Sequence, residues 1–234
     1  MARINGSPAE RAVLSWSGGK DATHALFEIE GTSIHVEELL TTISESTGRS
    51  SMHGVRRELY EAQAAALGLP INVVTLPDAP DNEEYAKLMN RVMAAYAEEG
   101  IDRVVFGDIF LEGIREYREE RLDQTPIDGA WPLWGVDTTE FVDSFLDAGF
   151  EAIVVAANDE QFDQDDTGRR LDETFLDDLP PEVDPAGEHG EFHTFVVDGP
   201  IFETPVRVET GERVSRPVGN DTTMHYCDLL LAEE

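Results

Sequence analysis

The sequence has little cysteine and no long hydrophobic run. A single cysteine, Cys227, among 234 residues excludes an internal disulfide framework and a metal site built from several cysteines. No segment approaches the 18 or more apolar residues that a membrane-spanning helix needs. Residues 1–11 also lack the apolar middle of a signal peptide. These absences predict a cytoplasmic protein without membrane contact.

Positive charge is scarce as well. The chain has 17 Lys and Arg residues against 49 Asp and Glu residues, which gives a formal net charge of −32. The acidic residues are spread along the whole chain, so we interpret them as an acidic surface rather than a binding tail. Such a surface repels itself unless salt screens it, and the Debye length is about 3 Å at 1 M salt. This composition is typical of halophilic archaea, and it argues against direct nucleic-acid binding, which needs basic patches.

Strands alternate with helices in the first half of the chain. Apolar runs at 12–16, 36–43, 71–76 and 103–106 predict strands, and amphipathic helices separate them. This order predicts an α/β fold with a doubly wound parallel sheet. After residue 124 the chain becomes rich in Pro, Gly and Trp, and further strands are predicted at 151–156, 192–197 and 205–208. We therefore expect one domain over 1–124 and a smaller α+β domain over 125–234.

The first predicted strand runs directly into Ser17-Gly18-Gly19-Lys20-Asp21, and a helix follows at once. Two glycines let backbone N–H groups approach an anion, and the helix N-terminus adds its positive end. Ser17 offers a hydroxyl donor, Lys20 a positive charge and Asp21 a ligand for magnesium. The alternative is an ordinary tight turn, because Gly, Ser and Asp are common turn residues.

The 17–21 segment resembles the SGGKDS signature of the PP-loop ATP pyrophosphatases, and it lacks the spacing of a Walker A loop. Residues 52–56, 106–110, 187–195 and 198–202 resemble blocks of the diphthine–ammonia ligase family, closest to its adenine nucleotide alpha hydrolase-like branch. The resemblance covers residues 12 to 228. Ala22 and Ala186 depart from the serine and the cysteine that many relatives carry at these positions.

The resemblance implies a HUP/PP-loop type fold in which 1–124 binds ATP with Mg²⁺ and 125–234 recognises the substrate. It implies an ATP-dependent ligase that activates a carboxylate by adenylation, with release of AMP and pyrophosphate, for amidation by ammonia or an amine. The implied acceptor is a carboxylate of a small molecule or of a protein, such as the diphthine of elongation factor 2. Whether the chain forms a homo-oligomer stays open. The alternatives are a non-catalytic nucleotide-binding or regulatory protein and a tRNA sulfur transferase. One cysteine and the net charge disfavour the transferase.

Two sets of site residues follow, with Asp21 in addition as the expected metal ligand. The ATP-binding set is Ser15, Ser17, Gly18, Gly19, Lys20, Asp21, Thr42, His53, Arg56, Gly107 and Asp108. The catalytic set is Lys20, Asp21, Glu188, Glu191 and His193. Purely structural alternatives stay open for two of these features. His53 could instead cap the helix that follows it, and 188–194 could be a polar hairpin loop.

Two further features have two interpretations each, and a third has a structural one. Arg115, Arg118 and Arg121 recur every three residues among glutamates, which indicates a salt-bridged helix face or a functional row. The tryptophans at 131 and 134 form part of a core or a platform for a ligand. Cys227 is expected to be a buried small hydrophobe.

Overall fold

The computed structural model describes residues 9–77, 82–218 and 222–232. Within these residues, five parallel strands form the first sheet: β1 (Glu10–Ser15), β2 (Ile34–Ser44), β3 (Ile71–Leu76), β4 (Arg103–Val105) and β5 (Asp128–Ala130). The strand order is β3-β2-β1-β4-β5. The connecting helices are α1 (Lys20–Glu28), α2 (Arg57–Ala66), α3 (Asn82–Glu98) and α4 (Glu112–Leu122). The predicted α/β fold with a doubly wound parallel sheet is confirmed.

Both faces of this sheet are covered by helices. Ala12 and Leu14 of β1 pack in one hydrophobic cluster with α1 and α2, whereas Val13 packs in another with α3 and α4. This division follows from the period of two along a strand, and it explains why β1 is apolar throughout. The chain order reverses beside β1, which pairs with β2 on one side and β4 on the other. Open α/β sheets bind ligands at the carboxyl ends of the strands at such a point.

A second sheet contains four antiparallel strands in the order β7-β6-β9-β8. Its described strands are β6 (Glu151–Asn158), β7 (Phe192–Asp198), β8 (Val208–Val218) and β9 (Thr222–Leu231), and α5 (Thr138–Asp147) and α6 (Glu173–Asp177) accompany them. Asp137 caps α5, because its carboxylate accepts hydrogen bonds from the backbone of Thr139 and Glu140. The strand predicted at 205–208 is wrong in its bounds: β8 begins at Val208. As a largely exposed edge strand it shows no clear hydrophobic alternation.

The two sheets share part of their core. Leu14 and Trp16 of the first half lie in the same hydrophobic cluster as Phe195 and Val197 of β7. The strand β5 lies beyond residue 124, so the first sheet takes residues from both sides of the predicted boundary. The assignment of two functional domains stays a prediction.

Two expectations from the sequence, on membrane-spanning helices and on Cys227, can be compared with the described residues. None of the described helices has the length and apolar character that crossing a bilayer would require. Cys227 is 4% exposed, so its interpretation as a buried small hydrophobe is confirmed.

Candidate functional site

The loop between β1 and α1 is shaped by contacts with α2 and β7. Gly18 adopts a φ of +72°, and a β-carbon there would lie 2.6 Å from Oε1 of Gln63. A β-carbon on Gly19 would lie 3.0 Å from the carbonyl oxygen of Thr194. The two glycines are therefore required by close packing as well as by any approach of an anion.

Two backbone donors of this loop already have partners. The N–H of Gly19 donates to Oγ of Ser17 at 3.3 Å, and that of Lys20 donates to Oγ1 of Thr194 at 3.0 Å. The predicted phosphate cradle therefore depends more on side chains than the sequence indicated. The side chains that it offers are the Ser17 hydroxyl and the Lys20 ammonium group.

Lys20 is a buried cation. Its side chain is 3% exposed, and Nζ lies 2.8 Å from Oδ1 of Asp21. The rings of Phe141 and Phe192 lie with their centres 5.8 Å and 5.6 Å from Nζ. An ammonium group in such apolar surroundings needs an anionic partner, which is Asp21 here.

The loop opens into a cleft of about 540 Å³ between the carboxyl ends of the first sheet and the 187–193 segment. Nine predicted site residues line it: Ser15, Ser17, Lys20, Asp21, His53, Gly107, Asp108, Glu188 and His193. The cleft thus combines residues from both halves of the chain. Five others do not line it, namely Gly18 and Gly19 of the loop itself, Thr42, Arg56 and Glu191.

Carboxylates surround the ammonium group in this cleft. Burial, together with the negative charge of Asp21, raises the pKa of Glu188 to about 8. Asp108 binds Nη2 of Arg118 through Oδ1 at 3.1 Å. Its other oxygen, Oδ2, is buried and has no hydrogen-bond partner among the described residues. The cleft therefore holds one carboxyl group that keeps its proton at neutral pH and one carboxylate oxygen that is free to bind a ligand.

Two imidazoles lie against each other in the same cleft, with their ring planes tilted by 44°. The ring centres of His53 and His193 are 4.5 Å apart. Burial, with a contribution from Lys20, lowers the pKa of His193 to about 4. Burial and the neighbouring His193 lower the pKa of His53 well below its usual value. Both rings are therefore neutral at physiological pH and can accept a proton. The alternative in which His53 caps α2 is wrong, because the N-cap of that helix is Arg56.

Glu191 and Arg56 do not line the cleft, and their side chains bind other groups of the protein. The two carboxylate oxygens of Glu191 accept hydrogen bonds from the backbone N–H groups of Asp184 and His189, so the side chain braces the loop that carries Glu188. Arg56 binds the carboxylate of Asp228 at 2.6 Å. These placements give no contact with a ligand in the cleft.

The arginine row on α4 divides between the two interpretations. Arg118 lines the cleft and binds Asp108, which favours the functional interpretation for this residue. Arg115 pairs with Glu119 at 2.8 Å and lies over the rings of both Trp131 and Trp134, and its role is packing. These contacts also favour the core interpretation of the two tryptophans. Spacing alone could not separate the members of this row.

A second pocket that sequence reasoning missed adjoins the cleft. It has a volume of about 300 Å³ and shares Ser15, Ile114 and Arg118 with the cleft. The other lining residues are mainly apolar or aromatic: Leu40, Tyr85, Ala86, Met89, Asn90, Met93, Val104, Phe106, Tyr117, Arg121 and Leu122. An apolar pocket beside a charged cleft is a common arrangement for a ligand with a ring and a phosphate group.

The carboxylates fit a magnesium ion that is shared with a ligand. No group of three or more His, Cys, Asp or Glu side chains among the described residues could hold a metal ion by itself. Mg²⁺ is usually bound by one or two carboxylates, with phosphates and waters in its other positions. Asp21 and the unpaired Oδ2 of Asp108 meet that requirement in the same cleft.

Comparison with protein families agrees with this geometry. The model of the diphthamide synthase N-terminal domain matches residues 10–125, and that of the diphthamide synthase C-terminal domain matches residues 137–222. The chain belongs to the diphthamide synthase family. Both parts of the cleft, the 17–21 loop and the 187–193 segment, lie within the matched residues.

More distant comparisons add little to this assignment. No curated protein sequence gave a significant match to this diphthamide synthase family member. Among solved structures, the U34-tRNA thiolase NcsA from Methanococcus maripaludis, with its 4Fe-4S cluster, is similar at 13% identity with a TM-score of 0.38. The aligned region covers 62% of this chain and 60% of the thiolase, so the chain spans about three fifths of that protein's length.

Proposed function

We propose that this chain is an ATP-dependent ligase that activates a carboxylate as an acyl adenylate and then transfers it to ammonia or an amine. One observation carries the proposal. The Lys20–Asp21 pair of the PP-loop and the Glu188 and His193 side chains of the second half face one cleft. A nucleotide held at the loop would therefore lie beside groups that can exchange protons.

The cleft and the pocket beside it account for ATP. We assign the triphosphate to Ser17 and Lys20, and the adenine ring to the apolar pocket that adjoins the cleft at Ser15. Asp21 and Asp108 would hold Mg²⁺ together with the phosphates. The ion would neutralise charge on the phosphate oxygens.

The chemistry follows from the protonation states in the cleft. A carboxylate oxygen of the acceptor attacks the α-phosphorus, the bond to the bridging oxygen breaks, and pyrophosphate leaves. Glu188 keeps its proton at neutral pH, so it can donate a hydrogen bond to the acceptor carboxylate instead of repelling it.

Amide formation completes the reaction. The amine nitrogen attacks the acyl carbon, the bond between that carbon and the AMP oxygen breaks, and AMP leaves. The nitrogen loses one proton, and the neutral imidazole of His193 is placed to accept it. The acceptor is a small-molecule or protein carboxylate, with the diphthine of elongation factor 2 as a candidate that the family suggests.

The test follows oxygen atoms. The protein is incubated in molar KCl with ATP, Mg²⁺, ammonium and a pool of carboxylates labelled with ¹⁸O. Adenylation moves one ¹⁸O atom into AMP, which mass spectrometry detects, and pyrophosphate appears in equal amount. Intact ATP bound to the protein would support the alternative of a non-catalytic nucleotide-binding protein, and ADP with phosphate would contradict adenylation.

A further inference from the structure

Gln63 on α2 is a buried polar side chain with a full set of partners. It is 0% exposed, and its Oε1 accepts a hydrogen bond from Nε1 of Trp16 at 3.0 Å. Its Nε2 donates to the carbonyl oxygens of Gly18 at 2.9 Å and of Val196 at 2.6 Å. Gln63 does not line the cleft, so these contacts cannot be explained by ligand binding.

The bond to Gly18 controls the turn of the PP-loop. The Gly18 carbonyl also accepts a hydrogen bond from the backbone N–H of Val196 at 2.9 Å. One carbonyl is thus held by two donors that come from α2 and from β7. The peptide that contains this carbonyl includes the N–H of Gly19, so its orientation also sets the start of α1 at Lys20.

The bond to Val196 fixes the same loop against β7. Two residues before Val196, Thr194 accepts the N–H of Lys20 at 3.0 Å. His193, the neighbour of Thr194, lines the cleft. Gln63 therefore joins the loop that carries Lys20 and the strand that carries His193 through a single amide group.

We propose that Gln63 is a positioning residue for the nucleotide. By holding the Gly18 carbonyl and β7 together, it fixes Lys20 and the PP-loop turn before ATP binds. The inference rests on the proposed function only in taking ATP as the ligand. Loss of the amide would leave three buried polar groups with fewer partners, and the loop would relax to satisfy them.

The main test compares Gln63→Leu with Tyr60→Phe. Tyr60 lies one turn earlier on α2, is also 0% exposed and donates its hydroxyl to Oγ of Ser50, so the control removes a hydrogen bond from the same helix but not from the loop. Isothermal titration with ATP and Mg²⁺ should show a Kd about tenfold higher in Gln63→Leu and within about twofold of wild type in Tyr60→Phe. Equal Kd values in wild type and Gln63→Leu would overturn the proposal.

A second readout needs no ligand. Hydrogen–deuterium exchange of the free protein should become faster at residues 17–20 in Gln63→Leu and not in Tyr60→Phe. If wild type binds no ATP but this difference appears, the proposed function fails and the positioning role stands. If ATP binds and the exchange at 17–20 is unchanged in a folded Gln63→Leu protein, the positioning role fails alone.

A milder variant covers the case in which Gln63→Leu does not fold. Trp16→Phe removes the donor to Oε1 together with part of a buried ring, but it leaves both bonds of Nε2 possible, and Trp16 does not line the cleft. Freed at one end, the amide should hold Gly18 less firmly, so exchange at 17–20 should rise by a few fold. A folded Trp16→Phe protein with unchanged exchange and unchanged ATP Kd would overturn the proposal.

Discussion

A β-carbon on Gly107 would lie 2.7 Å from the carbonyl carbon of Asp21. The loop after β4 and the first turn of α1 therefore meet backbone to backbone, and only glycine leaves the room that this contact needs. The contact places Asp108 beside Asp21 in the cleft.

Gly107→Ala should displace the first turn of α1 and weaken both folding and ATP binding. The clash is with backbone atoms, so no side-chain rotation relieves it, and overpacking typically costs about 1–3 kcal/mol of stability. Thermal unfolding and ATP titration measure the two effects. Gly113→Ala is the matched control, because a β-carbon there has no neighbour within 4 Å and α4 should be slightly stabilised. Similar melting temperatures in both variants would contradict the prediction.

Lys20→Ala should raise the ATP Kd by about tenfold or more, since it removes a charged donor to the phosphates. The chain supplies its own control, because the other lysine, Lys87, is an exposed partner of Glu83 on α3. Lys87→Ala should bind ATP like wild type. Calorimetric titration measures the ATP Kd of both variants. An unchanged Kd in Lys20→Ala would show that Lys20 does not bind the phosphates.

The rate of AMP formation should fall as pH rises through about 8 if protonated Glu188 receives the acceptor. Ionisation of this group places a negative charge beside the acceptor carboxylate, so activity is lost on the alkaline side. Glu188→Gln keeps a hydrogen-bond donor and cannot ionise, and its rate should not fall in this range. Glu188→Ala should be roughly ten- to hundredfold slower than wild type below pH 8, and the difference should shrink above it. Glu182 is exposed and close in sequence, so Glu182→Gln should keep the fall in rate at alkaline pH. A fall in rate at alkaline pH in Glu188→Gln would refute the role of protonated Glu188.

Stability should depend on His193 between about pH 4 and 6.5. The pKa of His193 is about 4 in the folded protein, and an unperturbed histidine has a pKa of about 6.5. Over this interval the unfolded state binds more protons, so the contribution of His193 to stability rises with pH and is lost as pH falls. Urea unfolding at pH 5 and 7 should show a larger loss in wild type than in His193→Asn. His35→Asn, which removes an exposed imidazole, should lose as much as wild type.

The melting temperature should climb as KCl rises from dilute buffer to molar concentration. The cause is screening of repulsion within an acidic surface that carries a net charge of −32. Sucrose at matched osmolality stabilises proteins without screening charge, so it should reproduce only part of the effect. A melting temperature that is equal in dilute buffer and molar KCl would exclude the salt interpretation.

Cleft residues could be predicted from the sequence where they are adjacent along the chain or where they follow strands that are neighbours in the sheet. The 17–21 segment and Asp108 follow β1 and β4, which are neighbours in the parallel sheet, so their meeting could be expected. The placement of Arg56 could not be expected, because its partner Asp228 is 172 residues away. Glu191 has the same charge as Glu188 but braces the loop backbone, and residue type alone does not show which carboxylate turns into the cleft.

The role of Gln63 could not be predicted from the sequence for a related reason. It sits on the inner face of α2 among apolar neighbours, and nothing in the helical pattern marks its partners. Its contacts with Gly18 and Val196 span 45 and 133 residues of sequence. Contacts of this range depend on how the two sheets pack, which a periodicity analysis does not give.

The hydrogen bond from Lys20 to Thr194 has a consequence for the order of events on the ribosome. Its two residues are 174 positions apart, so the nucleotide loop is translated long before the strand that completes it. The nascent first sheet can form while residues 194–196 are still absent, but its 17–21 loop then lacks the two hydrogen bonds that β7 supplies to it. The full set of hydrogen bonds that holds this loop forms only after β7 has been translated.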